Sequence, residues 1–352
     1  MYYLNENVRD LKRIFDQNSR EEYLRMDLNE NPGGLPEDFI KKILDEVTPQ
    51  FVAQYPETKE FTEKLGAKIG AKVDEICLTN GSAEGIRHII EAYSRPGGNI
   101  LSVTPSYAMY EVYSKMYGRN HIGVSYEDDL SFDVSKLIKR ITPDIDIVVV
   151  LNPNNPMRDV YSYADMDRIV QAAKANEVTV LIDEAYYYFY PVSFMKYALE
   201  NDHVFLTRTF SKLFSLAGCR LGYVVGQPEG IAMIQKLCTP HNVNAFAMKF
   251  ALGIIETEGM LDSLIEKQTN GKAHLVNELK KHGYEVNAKE GNFVFIRPKT
   301  NADTLVSRMK TEKQILIKAY HGIGLMNDCL RVTTGEAELM DRFIEALLEL
   351  DC

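Results

Sequence analysis

No apolar run in this chain approaches the about twenty residues that a membrane-spanning helix needs; the longest, such as 145–151, stop far short. No membrane association is expected. A basic excess is also missing. The net charge of −10 argues against a surface that follows a nucleic-acid backbone. Cysteine is sparse: Cys77, Cys219, Cys238, Cys329 and Cys352 form no CxxC and leave an odd count. Free thiols in a reducing cytoplasm are expected, not a disulfide framework. The start, Met1-Tyr2-Tyr3-Leu4-Asn5-Glu6, has neither a basic n-region nor an apolar h-region, so no secretory signal is expected and the location is read as cytoplasmic. The seven histidines show no metal-ligand spacing, no HExxH and no Ser-His-Asp order, so no metal is expected. Repeats and low-complexity segments are absent.

What is present is the composition of a soluble globular protein: 352 residues, 45% hydrophobic and 26% charged. That length suits two lobes, or one large α/β domain with an appendage. Short Val/Ile/Leu-rich runs bounded by turn residues alternate with amphipathic segments, the pattern of βαβ units and a mainly parallel sheet. Strands buried on both faces are expected at 76–79, 99–103, 145–151, 178–182, 203–207 and 221–225. Helices are expected at 11–17, at 37–47 behind Pro36, and at 59–69. From about residue 245 the pattern changes to long helices, 245–256 and 260–282. Strand-like pieces at 284–286, 293–296 and 330–332 follow, then a closing helix at 337–350. The expected organisation is a large α/β domain over 36–245, with 1–35 and 246–352 forming an N-terminal arm and a smaller α+β domain. No Pro/Gly/Ser linker separates them, so a long helix is expected to connect the two.

The residues with chemistry sit just past the C-terminal ends of the expected strands, where ligands bind in open α/β sheets. Thr209-Phe210-Ser211-Lys212 is followed eight residues later by Arg220, in Ala217-Gly218-Cys219-Arg220-Leu221-Gly222-Tyr223. A lysine after a strand is usually a solvated charge. Here Leu213-Phe214-Ser215-Leu216-Ala217 surrounds it with apolar groups, and burial would expose a nucleophilic amine. An amine able to form a Schiff base beside a cation able to hold phosphate suits a cofactor that is both aldehyde and phosphate ester. Asp183 ends the run Val178-Thr179-Val180-Leu181-Ile182; it is either a turn residue or a carboxylate that keeps a pyridine nitrogen protonated. Tyr186 would donate to the ring oxygen. The constellation reads as a pyridoxal 5'-phosphate site.

Other pieces are weaker singly. Gly81-Ser82-Ala83-Glu84 follows a strand and opens a helix, so its backbone N–H groups and hydroxyl make a phosphate site; no Gly-Lys-Ser/Thr follows, so it is not a P-loop. Asn152-Pro153-Asn154-Asn155-Pro156 is by default a rigid turn, and functionally a mount for the Asn155 amide against the ring oxygen. Tyr107 is either core or a stacking partner for the ring. Arg331, a lone cation in the apolar strand around Leu330-Arg331-Val332, wants an anionic partner: a structural ion pair or a substrate carboxylate.

These pieces, with Asp27-Leu28-Asn29-Glu30-Asn31-Pro32 and Tyr55-Pro56, run in family order along almost the whole chain. They resemble fold-type I pyridoxal-phosphate transferases, the class I/II aminotransferases, and most closely the histidinol-phosphate aminotransferase branch. The resemblance implies a Schiff base at Lys212, pyridine-nitrogen pairing by Asp183 and ring-oxygen contacts from Asn155 and Tyr186. Phosphate contacts would come from Gly81, Ser82, Ala83, Thr209, Ser211 and Arg220. Tyr55 would reach the phosphate held by a neighbouring subunit, making a homodimer with shared sites. Arg331, Lys318 and Asn29 would face substrate. The activity implied is transfer of an amino group from a donor, expected to be glutamate, to a small phosphorylated or otherwise anionic keto acceptor. The rival is decarboxylation of a phosphorylated amino acid, as in the related threonine-phosphate decarboxylases. Three departures point away from histidinol phosphate itself: Met157-Arg158-Asp159 stands where Thr-Gly is usual, Lys318 where that branch usually carries arginine, and the Pro-Tyr segment usual in the N-terminal arm is absent from 11–17. Arg158 and Lys318 are candidate holders of a substrate phosphate or carboxylate.

Overall fold

The computed structural model describes residues 2–9, 11 and 19–352, so the helix expected at 11–17 lies, apart from Leu11, outside the described residues. The first strand, β1, is the two-residue Leu24–Arg25. Seven strands then build one sheet: β2 (Ile76–Thr79), β3 (Asn99–Thr104), β4 (Asn120–Ser125), β5 (Ile145–Leu151), β6 (Thr179–Asp183), β7 (Val204–Thr209) and β8 (Gly222–Val225). Their spatial order is β2-β8-β7-β6-β5-β3-β4. All neighbours are parallel except β8, which runs antiparallel to both β2 and β7. The sheet is thus mainly parallel, as expected.

Alternation along a strand explains why the central strands are apolar throughout. In β5, Val148 and Val150 enter one core cluster, while Ile147, Val149 and Leu151 enter the cluster on the opposite face. The edge strand β4 escaped the sequence reading because it is not of this kind: Asn120-His121-Ile122-Gly123-Val124-Ser125 is half exposed, and its polar alternation hides it among loops.

Five short strands follow: β9 (Glu285–Asn287), β10 (Phe293–Arg297), β11 (Ile315–Leu316), β12 (Lys318–Tyr320) and β13 (Cys329–Thr333). Four of them form an antiparallel sheet in the order β12-β13-β10-β9, and β11 pairs in parallel with β1. A separate apolar cluster of Leu24, Met26, Leu275, Val294, Leu330, Phe343 and their neighbours lies under this smaller sheet. The segment 24–26 therefore packs with the C-terminal third of the chain. Helices at Ala245–Glu256 and Met260–Lys281 run from the larger sheet to the smaller one, and Ala337–Leu350 closes the chain.

Candidate active site

The chain reverses or turns at one edge of the large sheet, and six of its seven strands contribute a group there. β6 ends on Asp183, β5 runs into Asn152–Asn155, β3 into Pro105–Tyr107, and β7 into Ser211 and Lys212. β2 leads through Gly81 into the helix Ser82–Tyr93, and Arg220 precedes β8. Together they line a cavity of about 520 Å³ whose remaining wall is Leu28, Asn29, Lys318, Tyr320 and Arg331 from the smaller sheet's side.

Asp183 is buried and accepts hydrogen bonds from the Tyr110 hydroxyl (2.8 Å) and the Ala185 N–H (3.1 Å). Burial raises its carboxyl to about 6, against the pull of those two donors. A buried carboxylate in this state is stabilised by a cation, which is what a protonated pyridine nitrogen offers. Opposite it, Lys212 donates to the Leu28 carbonyl at 3.0 Å. Burial, helped by the nearby Arg331 and Arg220 guanidiniums, lowers the Lys212 amine to about 8. At neutral pH a useful fraction is the uncharged nucleophile.

Tyr186 has its hydroxyl oxygen held by two amides: Asn29 donates at 2.8 Å and Asn155 at 3.1 Å. Both lone pairs are thereby engaged, which leaves the single O–H proton free to point at an oxygen in the cavity. Asn29 sits in left-handed backbone (φ 58°), with its N–H on the Thr333 hydroxyl at 3.1 Å and its carbonyl accepting from Asn292 at 3.0 Å. These contacts couple the 27–31 segment to β13.

At the other end of the cavity Thr209 donates its hydroxyl to Ser211 Oγ at 2.9 Å, and the Ser211 N–H returns to Thr209 Oγ1 at 3.1 Å. Arg220 reaches Ser211 Oγ at 3.3 Å and the Ala217 carbonyl at 3.1 Å. Gly81 adopts φ 74°, and a Cβ there would stand 2.6 Å from Arg220 Nη2. Glycine thus lets the guanidinium lie against the helix N-terminus at Ser82 and Ala83. Two hydroxyls, a helix N-terminus and a guanidinium without a carboxylate partner among the described residues make a cradle for a dianion. With Asp183, Tyr186 and Lys212 spaced along the same cavity and Tyr107 on its wall, the residues fit a phosphorylated pyridine aldehyde.

Arg331 is buried in β13 and touches no carboxylate among the described residues. It donates to the Asp27 carbonyl, to the Tyr320 hydroxyl at 3.0 Å and to Asn155 Oδ1 at 3.4 Å. Of the two roles open to it from sequence, the structural ion pair is not the one found. Lys318, its direct cross-strand neighbour, lines the same cavity.

Two sequence-derived candidates lie elsewhere. Arg158 is 1% exposed and does not reach the cavity. Its guanidinium grips Asn287 in β9 (2.8 Å to the carbonyl, 2.7 Å to Oδ1) and lies near the Phe293 and Phe295 rings. Its backbone is left-handed (φ 63°), and its side chain lies on β9 instead of in the cavity, where a substrate holder was expected. Tyr55 is 78% exposed and stacks on His241, with ring centroids 4.6 Å apart, outside the cavity.

Sequence reasoning missed Tyr110 and Tyr320. Both are tyrosines in segments with no motif, and only the fold brings the first to Asp183 and the second to Arg331.

Comparison with known proteins agrees with this geometry. The family model for aminotransferase class I and II matches residues 21–347. The chain is 31% identical to a histidinol-phosphate aminotransferase of Caldanaerobacter subterraneus subsp. tengcongensis over 353 residues, covering 99% of this chain and 98% of that one. Among solved structures, histidinol-phosphate aminotransferase of Sinorhizobium meliloti in complex with pyridoxal-5'-phosphate shares the fold (TM-score 0.81, 21% identity, 93% and 90% of the two chains). So does L-threonine-O-3-phosphate decarboxylase of Porphyromonas gingivalis (TM-score 0.77, 23% identity, 93% and 98%).

Proposed function

Because the chain belongs to the class I and II aminotransferases, enzymes of pyridoxal phosphate, we propose that it moves an amino group from an amino-acid donor, glutamate, to a small anionic keto acceptor. The observation that carries the anionic substrate is Arg331, a buried guanidinium that opens on the cavity with no carboxylate partner among the described residues. Lys318, beside it, adds a second positive charge to the same wall.

The cofactor supplies an aldehyde for amine exchange and an electron-withdrawing ring that takes up the charge left when a bond at the substrate α-carbon breaks. Asp183 would hold the ring nitrogen protonated, and Tyr186 and Asn155 would hold the ring oxygen. Ser82, Ala83, Thr209, Ser211 and Arg220 hold the phosphate. Lys212 tethers the aldehyde at rest. Its Nζ, when not bonded to the cofactor, would serve as the proton acceptor and donor at the substrate α-carbon, a task suited to an amine lowered to about 8. Arg331 anchors the substrate carboxylate and so decides which α-bond faces the ring. Residues 36–245 act as the cofactor-binding domain, with 1–35 and 246–352 as arm and small domain. Two copies form a cytoplasmic homodimer in which Tyr55 completes the partner's phosphate site.

The test is the absorbance spectrum before and after adding L-glutamate. Loss of the yellow band with release of 2-oxoglutarate supports the proposal. An unchanged band, with carbon dioxide released from phosphorylated amino acids, replaces it with the decarboxylase reading. Lys212→Ala is expected to lower turnover by at least about 10³-fold while cofactor is still held; wild-type rates in that variant would contradict the assigned role.

A further inference from the structure

Away from the cavity, the fold brings together two thiols that lie 161 positions apart. Cys77 in β2 and Cys238, on the turn after the helix Pro228–Gln235, have their sulfurs 3.7 Å apart. This is van der Waals contact. Cys77 is 2% exposed and fixed inside a strand, whereas Cys238 is half-buried. One sulfur is held in place, and the other is within reach of small solutes.

A third group faces them. His88, on the helix Ser82–Tyr93, is 8% exposed, and neither ring nitrogen has a hydrogen-bond partner among the described residues. Its Nε2 lies 4.0 Å from Glu84 Oε1. A buried imidazole with no well-formed hydrogen bond asks for a reason. The neighbouring Cys238 thiol is that reason: hydrogen bonding from Cys77 and the adjacent His88 imidazole both lower it, while Cys77 is raised by its bond to Cys238 and by burial. Both shifts run toward a proton kept on the buried Cys77 and charge on the more exposed Cys238 sulfur.

We propose that Cys77 and Cys238 form a modification site, a dithiol that a hydroperoxide converts to a disulfide, with His88 as the proton acceptor of Cys238. The Cys238 proton passes to the imidazole, and the thiolate sulfur attacks one peroxide oxygen. The O–O bond breaks, leaving a sulfenic acid on Cys238, and the hydroxide formed takes the proton from His88 as water. The Cys77 thiol then attacks the sulfenic sulfur; the S–S bond forms, the S–O bond breaks, and hydroxide leaves with the Cys77 proton as a second water. Two thiols lose two electrons in all, and the peroxide gains them. All five cysteines are free thiols, and Cys77–Cys238 is the sulfur–sulfur contact seen among the described residues. The new bond would run alongside an existing tie, in which Asn242 donates to the Leu78 carbonyl at 2.9 Å and Asn80 to the Asn242 carbonyl at 2.5 Å. The site does not depend on which substrate the enzyme takes.

The experiment treats the full-length holoenzyme with a slight excess of hydrogen peroxide and maps peptides without reduction. A Cys77–Cys238 cross-link that dithiothreitol reverses is the expected product. Cys77→Ser should stop at a Cys238 sulfenic acid that dimedone traps, and His88→Gln should slow oxidation by about tenfold or more, since the thiolate fraction sets the rate. Oxidation at Cys219 or Cys352 with Cys77 and Cys238 both left as free thiols overturns the proposal. An unchanged rate in His88→Gln removes the histidine from it. Should Cys77→Ser fail to fold, the wild-type peptide map decides alone.

Discussion

Asp183, buried, and Lys212, half-buried, share one cavity, and desolvation pushes both toward their neutral forms. For the lysine this has a kinetic consequence. Only the neutral amine adds to an aldehyde, so the rate at which cofactor-free enzyme is reconstituted with pyridoxal phosphate should rise with pH and level off above about 8, as followed by the yellow absorbance. A rise that continues to the ordinary lysine range would show that the amine is not desolvated. For the aspartate the consequence is thermodynamic. Its folded-state value, about 6 against an ordinary 3.8, is raised, so the neutral carboxyl favours the cofactor-free fold below 3.8 and that contribution fades as pH rises through 6. It amounts to about 3 kcal/mol. Asp183→Asn should flatten this part of the pH–stability curve of cofactor-free protein in thermal melts, and an unchanged slope would place the effect on another group.

Single glycines decide how closely elements approach at the phosphate end. Gly222 opens β8 directly beneath the helix that starts at Ser82. A Cβ there would meet the Ser82 nitrogen, the Gly81 carbonyl carbon at 2.5 Å and the Arg208 oxygen at 2.8 Å, all of them backbone atoms. Gly222→Ala is therefore expected to lower stability by about 2 kcal/mol in urea unfolding and to weaken cofactor binding, because the helix N-terminus must back away. Unchanged unfolding and cofactor affinity would mean that the strand shifts instead. The Lys212-Arg220 spacing, the Gly81-Ser82 turn and the strand-end Asp183 were all legible as elements, since each is a local pattern with its own backbone requirement. Arg158 was not. Its sequence neighbours place it beside the substrate, but its side chain, on a left-handed backbone, lies on Asn287 and between aromatic rings, where it links the loop carrying Asn155 to β9.

At the scale of the whole molecule, the arm segment 24–31 joins the two sheets. Met26 and Asn29 bond to Thr333 of β13, while Leu28 supplies its carbonyl to Lys212 and Asn29 its amide to Tyr186. Displacement of the smaller sheet would therefore be felt at the catalytic amine. Tyr55 is the one named cofactor contact that stands apart from this arrangement, exposed and stacked on His241. Its place in the proposed function is across a two-fold axis. Tyr55→Phe is expected to raise the cofactor dissociation constant by about tenfold, the worth of one hydrogen bond to a charged group, without dissociating the dimer in sedimentation. An unchanged constant would leave Tyr55 with no part in the neighbouring site.

Local chemistry is written in the order of residues. Strands buried on both faces must be apolar throughout, a phosphate turn needs glycine before a helix start, and a tethering lysine must follow a strand end; each leaves a mark within a few positions. The class of fold and the cofactor were legible for that reason. Tertiary structure alone chose Tyr110 as the donor to Asp183, set two amides on the Tyr186 oxygen, left Arg331 facing the cavity without a carboxylate among the described residues and set Arg158 outside it. Those pairings join residues tens to hundreds of positions apart, and no periodicity or motif encodes a contact whose two halves meet only when the sheets close on one another.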